Sequence, residues 1–314
     1  MVEKQVLPVK DKKKGRLILI SLMGATIVLI GLATVFRELP GWLSRVNGPA
    51  VIVSQQFLSQ HSPTPVPSMV RERNEVEEML KPLRGLYGIY YLDLSTGNSF
   101  AINGDRIFTA ASLIKLPVML TLYKEADAGR IDLDTVYKLR GVDKRGGAGS
   151  LQYKPDGYSI TYRQMAQLMG SQSDNTAFNV ISKLLGETKI QNTIDLLGMK
   201  NTSFANNDTT PEDINLFFQK LYNGKVVTEK SKEEILDFLT DTIWEDRIPA
   251  GIPQDIKVAH KIGTEVRVIS DAGIVFTPRP FILTILSQEV NEIEAKQALL
   301  EIAKKIYDLH TIHD

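Results

Sequence analysis

Between positions 17 and 36 the chain is uncharged and almost wholly apolar, and Arg16 and Arg37 bracket the run. About 20 such residues, rising about 1.5 Å each, match the hydrocarbon thickness of a bilayer. No polar face interrupts the run, so it does not read as an amphipathic helix packed on a core. Lys4, Lys10, Lys12, Lys13, Lys14 and Arg16 crowd the residues before it. That basic cluster predicts a cytoplasmic N-terminus and an extracytoplasmic remainder. A cleaved signal peptide is the alternative. Its apolar segment is ordinarily shorter, and no small-x-small site follows cleanly here.

Polarity then shifts. Pro40, Gly41, Asn47, Gly48 and Pro49 interrupt structure, and the string His61-Ser-Pro-Thr-Pro-Val-Pro-Ser68 favours an extended polyproline-like spacer. The expected organisation is a basic cytoplasmic tail at 1–16, a transmembrane anchor at 17–36, an extracytoplasmic linker at 37–68 and a folded domain at 69–314.

Within that domain two periodicities alternate. A charged amphipathic helix is predicted over 69–83. Strands at 87–94 and 99–102, joined by Ser95-Thr-Gly-Asn98, predict a hairpin. Helical spacing follows over 112–128, where Gly129 ends it, and over about 161–185, 188–198, 211–222 and 231–241. Strands return at 257–264, 271–276 and 281–288, and an amphipathic helix follows at about 291–308. Strands at both ends with helices between them predict an α+β domain. Its antiparallel sheet is formed by the N- and C-terminal strands and flanked by helices, beside an all-helical lobe. A cleft between sheet and lobe is the expected place for a site.

Composition narrows the chemistry. The 37 basic and 37 acidic residues cancel, which gives no reason to expect nucleic acid as a partner. The absence of cysteine excludes disulfides, thiolate metal sites and a cysteine nucleophile. His61, His260, His310 and His313 lack the HExxH spacing of a metallohydrolase, so neither a metal nor another cofactor is expected.

Three short strings carry candidate chemistry: Ser112-Leu-Ile-Lys115, Ser173-Asp-Asn175 and Lys261-Ile-Gly263. On a helix Ser112 and Lys115 share a face, so the amine can reach the hydroxyl and act as its base. That requires a lowered lysine pKa, which burial and a second cation such as Lys261 both supply. Taken alone, Ser112 reads more readily as an ordinary helix N-cap, with Lys115 solvated. Pro117 weighs against that reading, because a proline inside a helix leaves a carbonyl without its donor. Ser173-Asp-Asn175 reads either as a helix cap or as a proton-passing hydroxyl beside a substrate-holding amide. On a strand, Gly263 permits a second backbone to approach closely, as a substrate lying along it would require. His260 points to the opposite face from Lys261 and reads as a packed or surface histidine.

Together the three strings resemble the motif set of the serine β-lactamase and penicillin-binding family, and most closely that of the class A β-lactamases. The similarity runs from about residue 69 onward and extends to Gly149-Ser-Leu-Gln152, Asp208-Thr-Thr-Pro-Glu-Asp213 and Asp271-Ala-Gly273. The resemblance implies a hydrolase acting on a β-lactam or a cell-wall peptide, which the apolar run and the basic cluster before it would place on the extracytoplasmic side of a membrane. It implies Ser112 as the acylated nucleophile, Lys115 as its base or proton relay, and Ser173 as donor to the leaving group. It further implies Asn175 and Thr264 as substrate contacts, Lys261 as the cation that tunes the site and attracts the substrate carboxylate, and the N–H groups of Ser112 and Thr264 as the oxyanion hole.

Two departures stand out. Ile262 occupies a position where the family carries Thr or Ser, which leaves the substrate carboxylate to Thr264, Lys261 or Arg267. The glutamate loop that activates the hydrolytic water is also missing, since Gly198-Met-Lys-Asn-Thr-Ser-Phe-Ala-Asn-Asn207 runs straight into Asp208. Asp208 and Glu212 are the nearest carboxylates in sequence. Slow release of the acyl group is therefore expected. The alternatives are a penicillin-binding, peptidase-like protein and a non-catalytic module that retains the fold.

Overall fold

A computed structural model describes residues 69–312; the expected tail, anchor and linker lie outside them. Helix α1 (Val70–Leu80) precedes the antiparallel hairpin of β1 (Leu86–Asp93) and β2 (Ser99–Ile102). Asp93 closes the hairpin turn, its Oδ1 accepting from the N–H groups of Ser95 and Thr96. A short β3 (Phe108–Thr109) leads through a 3₁₀ turn, Ala111–Ile114, into α2 (Lys115–Asp127). The lobe continues with β4 (Val136–Lys138), β5 (Ser159–Thr161), α3 (Tyr162–Ser171), α4 (Asn175–Leu185) and α5 (Glu187–Leu197). Then come β6 (Asp208–Thr209), α6 (Pro211–Tyr222) and α7 (Glu229–Phe238). Strands β7 (Val258–Glu265), β8 (Val268–Val275) and β9 (Phe281–Gln288) complete the main sheet, and α8 (Glu292–Thr311) follows.

The five-stranded sheet has the order β2-β1-β9-β8-β7 and is antiparallel throughout. The expected joining of the two ends takes the form of a full β1–β9 ladder, from Leu86 opposite Gln288 to Asp93 opposite Phe281. Strand alternation then sorts two cores. Tyr87, Ile89, Tyr91, Leu283 and Ile285 pack with Val76 of α1 and Leu299, Ile302 and Ile306 of α8. Leu92, Ile274, Ile282 and Leu286 turn the other way, onto Met119, Phe217 and Phe218 of the lobe. With both faces covered, β8 and β9 read as nearly continuous apolar runs rather than alternating ones. Each fully buried Leu, Ile or Phe here contributes about 1.5–3 kcal/mol.

Element boundaries differ from expectation where local chemistry overrides periodicity. The helix expected over 112–128 is a 3₁₀ turn followed by α2. Pro117 has no N–H for the carbonyl of Leu113, so nothing holds the preceding turn in α geometry. The helix expected over 161–185 is two, broken at Ser173, whose φ is +55°, and restarted by Asp174. The Asp174 Oδ1 accepts from the N–H groups of Thr176 and Ala177 as a helix cap. Strand β8 begins at Val268 rather than 271, because Val266 and Arg267 form a two-residue hairpin turn without glycine or asparagine to announce it. Helix α7 starts two residues early, at a Thr228 cap.

Candidate active site

The turn that presents Ser112 is strained and clamped. Ala111 sits at φ +48°, a left-handed conformation that costs an L-residue about 1–3 kcal/mol. The Ala110 N–H donates to the Asn207 carbonyl at 2.7 Å, and the Leu113 N–H to the Ala110 carbonyl at 3.0 Å. Strand β7 presses on the same turn. A Cβ at Gly263 would lie 3.0 Å from the Ala110 oxygen and 3.3 Å from Leu113 Cγ. The backbone that Gly263 admits is therefore the nucleophile's own turn, where the sequence suggested room for a substrate.

Lys115 is only 1% exposed. Its Nζ contacts Ser112 Oγ at 3.0 Å, the Ser173 carbonyl at 2.5 Å, Asn175 Oδ1 at 2.7 Å and Ser173 Oγ at 3.1 Å. A carbonyl and an amide oxygen can only accept. The amide is oriented by its other end, since Asn175 Nδ2 donates to the Gly146 carbonyl at 2.8 Å. A neutral amine has two N–H groups, and these two acceptors use both. Its lone pair is then left for a hydroxyl proton, which Ser112 can supply. Burial drives Lys115 toward that neutral form, lowering its pKa to about 7 against the opposing charge of Asp174. Acylation of Ser112 should therefore rise about tenfold between pH 6 and pH 8 and then level off. Single-turnover acylation followed across that range checks this; a flat profile would rule out Lys115 as the base.

The second string is pinned to the loop before it. Asp174 Oδ2 accepts from the Leu151 N–H at 2.8 Å, and the Asn175 N–H donates to the Ala148 carbonyl at 3.0 Å. Gln152 Nε2 closes that loop on the carbonyls of Gly147 and Gly149. Ser173 is thereby held buried between the loop and Lys115, with Asn175 half-exposed at the cleft wall.

Lys261 occupies a different place from the one expected. It is 1% exposed beneath the cleft, with the Ile262 carbonyl at 3.3 Å as its Nζ partner. Burial, then the charges of Lys115 and Arg247, push its pKa well down, although Asp271 opposes them. Lys261 does not line the cleft, where a substrate carboxylate would have to lie. Arg267 is also excluded from that role, since its exposed side chain pairs with Glu289 at 2.6 Å on the hairpin turn. Among the cations that do line the cleft is Arg247, also 1% exposed. Its Nη1 donates to the carbonyls of Ser270 and Gly263, and its Nη2 donates to Thr264 Oγ1 at 2.7 Å. Thr264 is left with its own O–H to donate.

His260 is packed, as expected, and it is also charged. Burial opposes the charged form most strongly. Asp271 at 2.8 Å and Glu245 at 3.2 Å together outweigh it and hold the imidazolium up to about 9. Asp271 also accepts from the Ile248 N–H, which ties the loop carrying Arg247 to the sheet.

These groups meet at a cleft of about 730 Å³. Ser112, Lys115, Ser173, Asn175 and Thr264 all line it, Ile262 presents an apolar side chain there, and Gly263 supports its floor from below. Phe178 and Phe204 form the wall beside Lys115. Their ring centroids lie 6.2 Å apart, and the Lys115 Nζ stands 5.6 Å over Phe178. Asp208 is paired into the short β3–β6 ribbon and Glu212 is exposed on α6; neither lines the cleft. The carboxylates that do are Glu265 and Glu292. Sequence reasoning missed Arg247, Phe178, Phe204 and Asn207. They lie in segments without motif character, and the only available signal was an arginine embedded in the apolar stretch before β7.

Known proteins place this architecture. Residues 71–310 match the model of the beta-lactamase enzyme family. Among curated relatives, beta-lactamase VEB-1 of Pseudomonas aeruginosa is 24% identical over 73% of this chain and 87% of its own length. Among solved structures, PBP-A superposes with a TM-score of 0.75 at 25% identity, covering 79% of this chain and 98% of that one. A PBP-A variant described as an acyl-enzyme complex with penicillin G superposes with a TM-score of 0.74, again at 25% identity, over 78% and 99%.

Proposed function

This chain belongs to the beta-lactamase enzyme family and is a serine β-lactamase-like hydrolase, and from that premise we propose that it forms a long-lived acyl-enzyme on Ser112. The observation that carries the proposal is the coordination of Lys115, whose two acceptor partners take its N–H groups and leave its lone pair for the Ser112 and Ser173 hydroxyls, at 3.0 and 3.1 Å. Lys115 takes the Ser112 proton as Oγ attacks the acyl carbonyl. The N–H groups of Ser112 and Thr264 receive the developing oxyanion. Collapse breaks the C–N bond, and Ser173, relayed through Lys115, returns the proton to the leaving nitrogen. A substrate carboxylate binds the Thr264 hydroxyl, with the Arg247 guanidinium behind it.

A peptidase-like, penicillin-binding role is favoured over rapid β-lactam turnover by the aromatic wall. Where a hydrolytic water needs a base, Phe178 and Phe204 offer none. PBP-A, a variant of which is described as an acyl-enzyme complex with penicillin G, shares this fold. Intact-protein mass spectrometry after incubation with benzylpenicillin tests the reading. A single adduct that persists for minutes and is absent in Ser112→Ala is expected, with Asp208→Ala and Glu212→Ala leaving its lifetime unchanged. Rapid hydrolysis without a trapped adduct would sink the proposal of slow release.

We further propose that residues 17–36 anchor the domain on the extracytoplasmic side of a bacterial membrane. The uncharged run and the basic cluster before it support this. The full chain should then stay with membranes through a high-salt wash. Recovery as a shortened soluble form would favour cleavage instead.

A further inference from the structure

Strands β4 and β5 pair from Val136 opposite Thr161 to Lys138 opposite Ser159. Alternation turns Tyr137 and Ile160 toward the core and leaves Val136, Lys138 and Ser159 exposed. The turns beyond the ribbon are tied to each other. The Gly157 N–H donates to the Leu139 carbonyl at 2.7 Å, and the Gly141 N–H to Asp156 Oδ2 at 2.9 Å. Residues 136–161 thus form one surface unit.

Its charge is opposite to that of the domain it belongs to. Residues 69–314 carry 29 basic and 34 acidic side chains, whereas 136–161 carry five basic and two acidic. Arg140 pairs with Asp143 at 3.0 Å and Lys144 with Asp156 at 3.1 Å. Lys138, Arg145 and Lys154 remain, without a carboxylate partner among the described residues. They lie instead on Ser159 Oγ, on the Val142 and Lys144 carbonyls, and 5.3 Å over the Tyr158 ring.

The same unit exposes Val136, Val142, Tyr153 and Tyr158, four of the twelve large hydrophobic side chains exposed among the described residues. Tyr153 is 80% exposed and Val142 70%. A dissolved anionic polymer gains nothing from the valines. An anionic bilayer uses every group: aliphatic side chains enter the acyl boundary, tyrosines settle at headgroup level, and cations meet lipid phosphates. The acidic remainder of the domain is repelled by such lipid, so this unit leads the approach.

We propose that residues 136–161 dock the domain on an anionic lipid surface, with Lys138, Arg145 and Lys154 at the headgroups and Val142 and Tyr153 inserted between them. The partner is the bilayer in which residues 17–36 would be anchored, so the proposal rests on that reading, and the tether makes even a weak contact effective. Gly147 and Ala148 of the same unit line the cleft. Docking therefore holds the cleft beside the lipid.

The chain has no cysteine, so a single Pro155→Cys can carry an environment-sensitive fluorophore, with Ser95→Cys in the β1–β2 turn as control. Both positions are exposed. The full chain is combined with vesicles of phosphatidylcholine alone or mixed with phosphatidylglycerol. At low ionic strength the label at 155 should shift to the blue in the anionic vesicles only, and 0.5 M salt should reverse the shift. Loss of two cations in Lys138→Ala/Lys154→Ala should weaken docking about thirtyfold, and Val142→Ser/Tyr153→Ser should abolish the shift. All four side chains are exposed, so these changes do not burden folding. Flotation of the vesicles after a high-salt wash reads the anchor separately. A chain that floats without a blue shift overturns the docking surface alone, as does a shift equal in phosphatidylcholine, equal at Ser95 or unchanged by loss of both lysines. A chain that neither floats nor shifts overturns both readings. Tight binding of soluble polyphosphate, with Val142→Ser/Tyr153→Ser docking as wild type does, would assign the surface to an anionic polymer and overturn the lipid.

Discussion

Lys115→Ala is expected to slow acylation of Ser112 by about 10³-fold, within the range a positioned general base contributes. The magnitude follows from the coordination of the amine. Two of its oxygen partners, the Ser173 carbonyl and Asn175 Oδ1, only accept, so they spend the N–H groups and leave the lone pair for Ser112. Alanine removes that base and offers no substitute, since no carboxylate or imidazole lies within hydrogen-bond reach of Ser112 Oγ among the described residues. The change also strands the buried Ser173 carbonyl, so a lower unfolding midpoint is expected. A Lys115→Met variant, which fills the space, separates the two effects. Both variants should lose acylation to a similar degree while differing in stability. Acylation in Lys115→Met within tenfold of wild type would mean that another group takes the Ser112 proton.

Gly149→Ala should destabilise the domain by more than about 3 kcal/mol, lowering its unfolding midpoint by roughly 10 °C. Gly149 has φ +98°, where a side chain is strained in any surroundings. A Cβ there would also lie 2.2 Å from Asp174 Oδ2 and 2.4 Å from Asp174 Cα. Backbone cannot yield as the tip of a long side chain does. The loop must lift away, and the Leu151 N–H loses its carboxylate partner. Gly157→Ala is the matched control. Its φ is +79°, but nothing lies within 4 Å of the added carbon, so only the conformational cost of about 1 kcal/mol applies. Equal midpoints for the two variants would refute the crowding argument. Because the Asn175 N–H is bonded to Ala148 of the same loop, Gly149→Ala should slow acylation as well.

Those expectations rest on features of unequal visibility in the sequence. The sheet assembled from both ends of the domain was legible, because strand periodicity at 87–94 and 281–288 flanks a long helical stretch. The attacking pair was legible through its spacing, since Ser112 and Lys115 must share a face. What escaped were groups whose role arises only from tertiary approach. Arg247 lies in an irregular segment, and only the fold carries its guanidinium to Thr264. Lys261 reads in the sequence as an accessible cation, yet it is buried, and burial with two neighbouring positive charges lowers its pKa. Gly263 was marked correctly as a place of close approach, but the approaching backbone is Ala110. The breaks at Ser173 and Ala111 escaped because neither is a glycine, and left-handed backbone at such residues is imposed by surroundings. The carboxylates of Asp208 and Glu212 were adjacent in sequence to the missing loop, yet neither lines the cleft.

The ladder between β1 and β9 also governs when the molecule becomes competent during synthesis. Leu86 meets Gln288 only after nearly the whole domain has been made, and closing so long a segment is entropically slow. Until then the β1–β2 hairpin carries an open edge on the side that β9 will occupy, an invitation to pair with a neighbouring nascent chain. The same delay withholds β7, whose Gly263 seats the turn bearing Ser112. A ribosome-bound or prematurely ended chain thus has its serine and lysine but no surface to hold them in attacking geometry. Reactivity arrives last, with the final strands, and any truncation that removes them should yield an inert and aggregation-prone polypeptide.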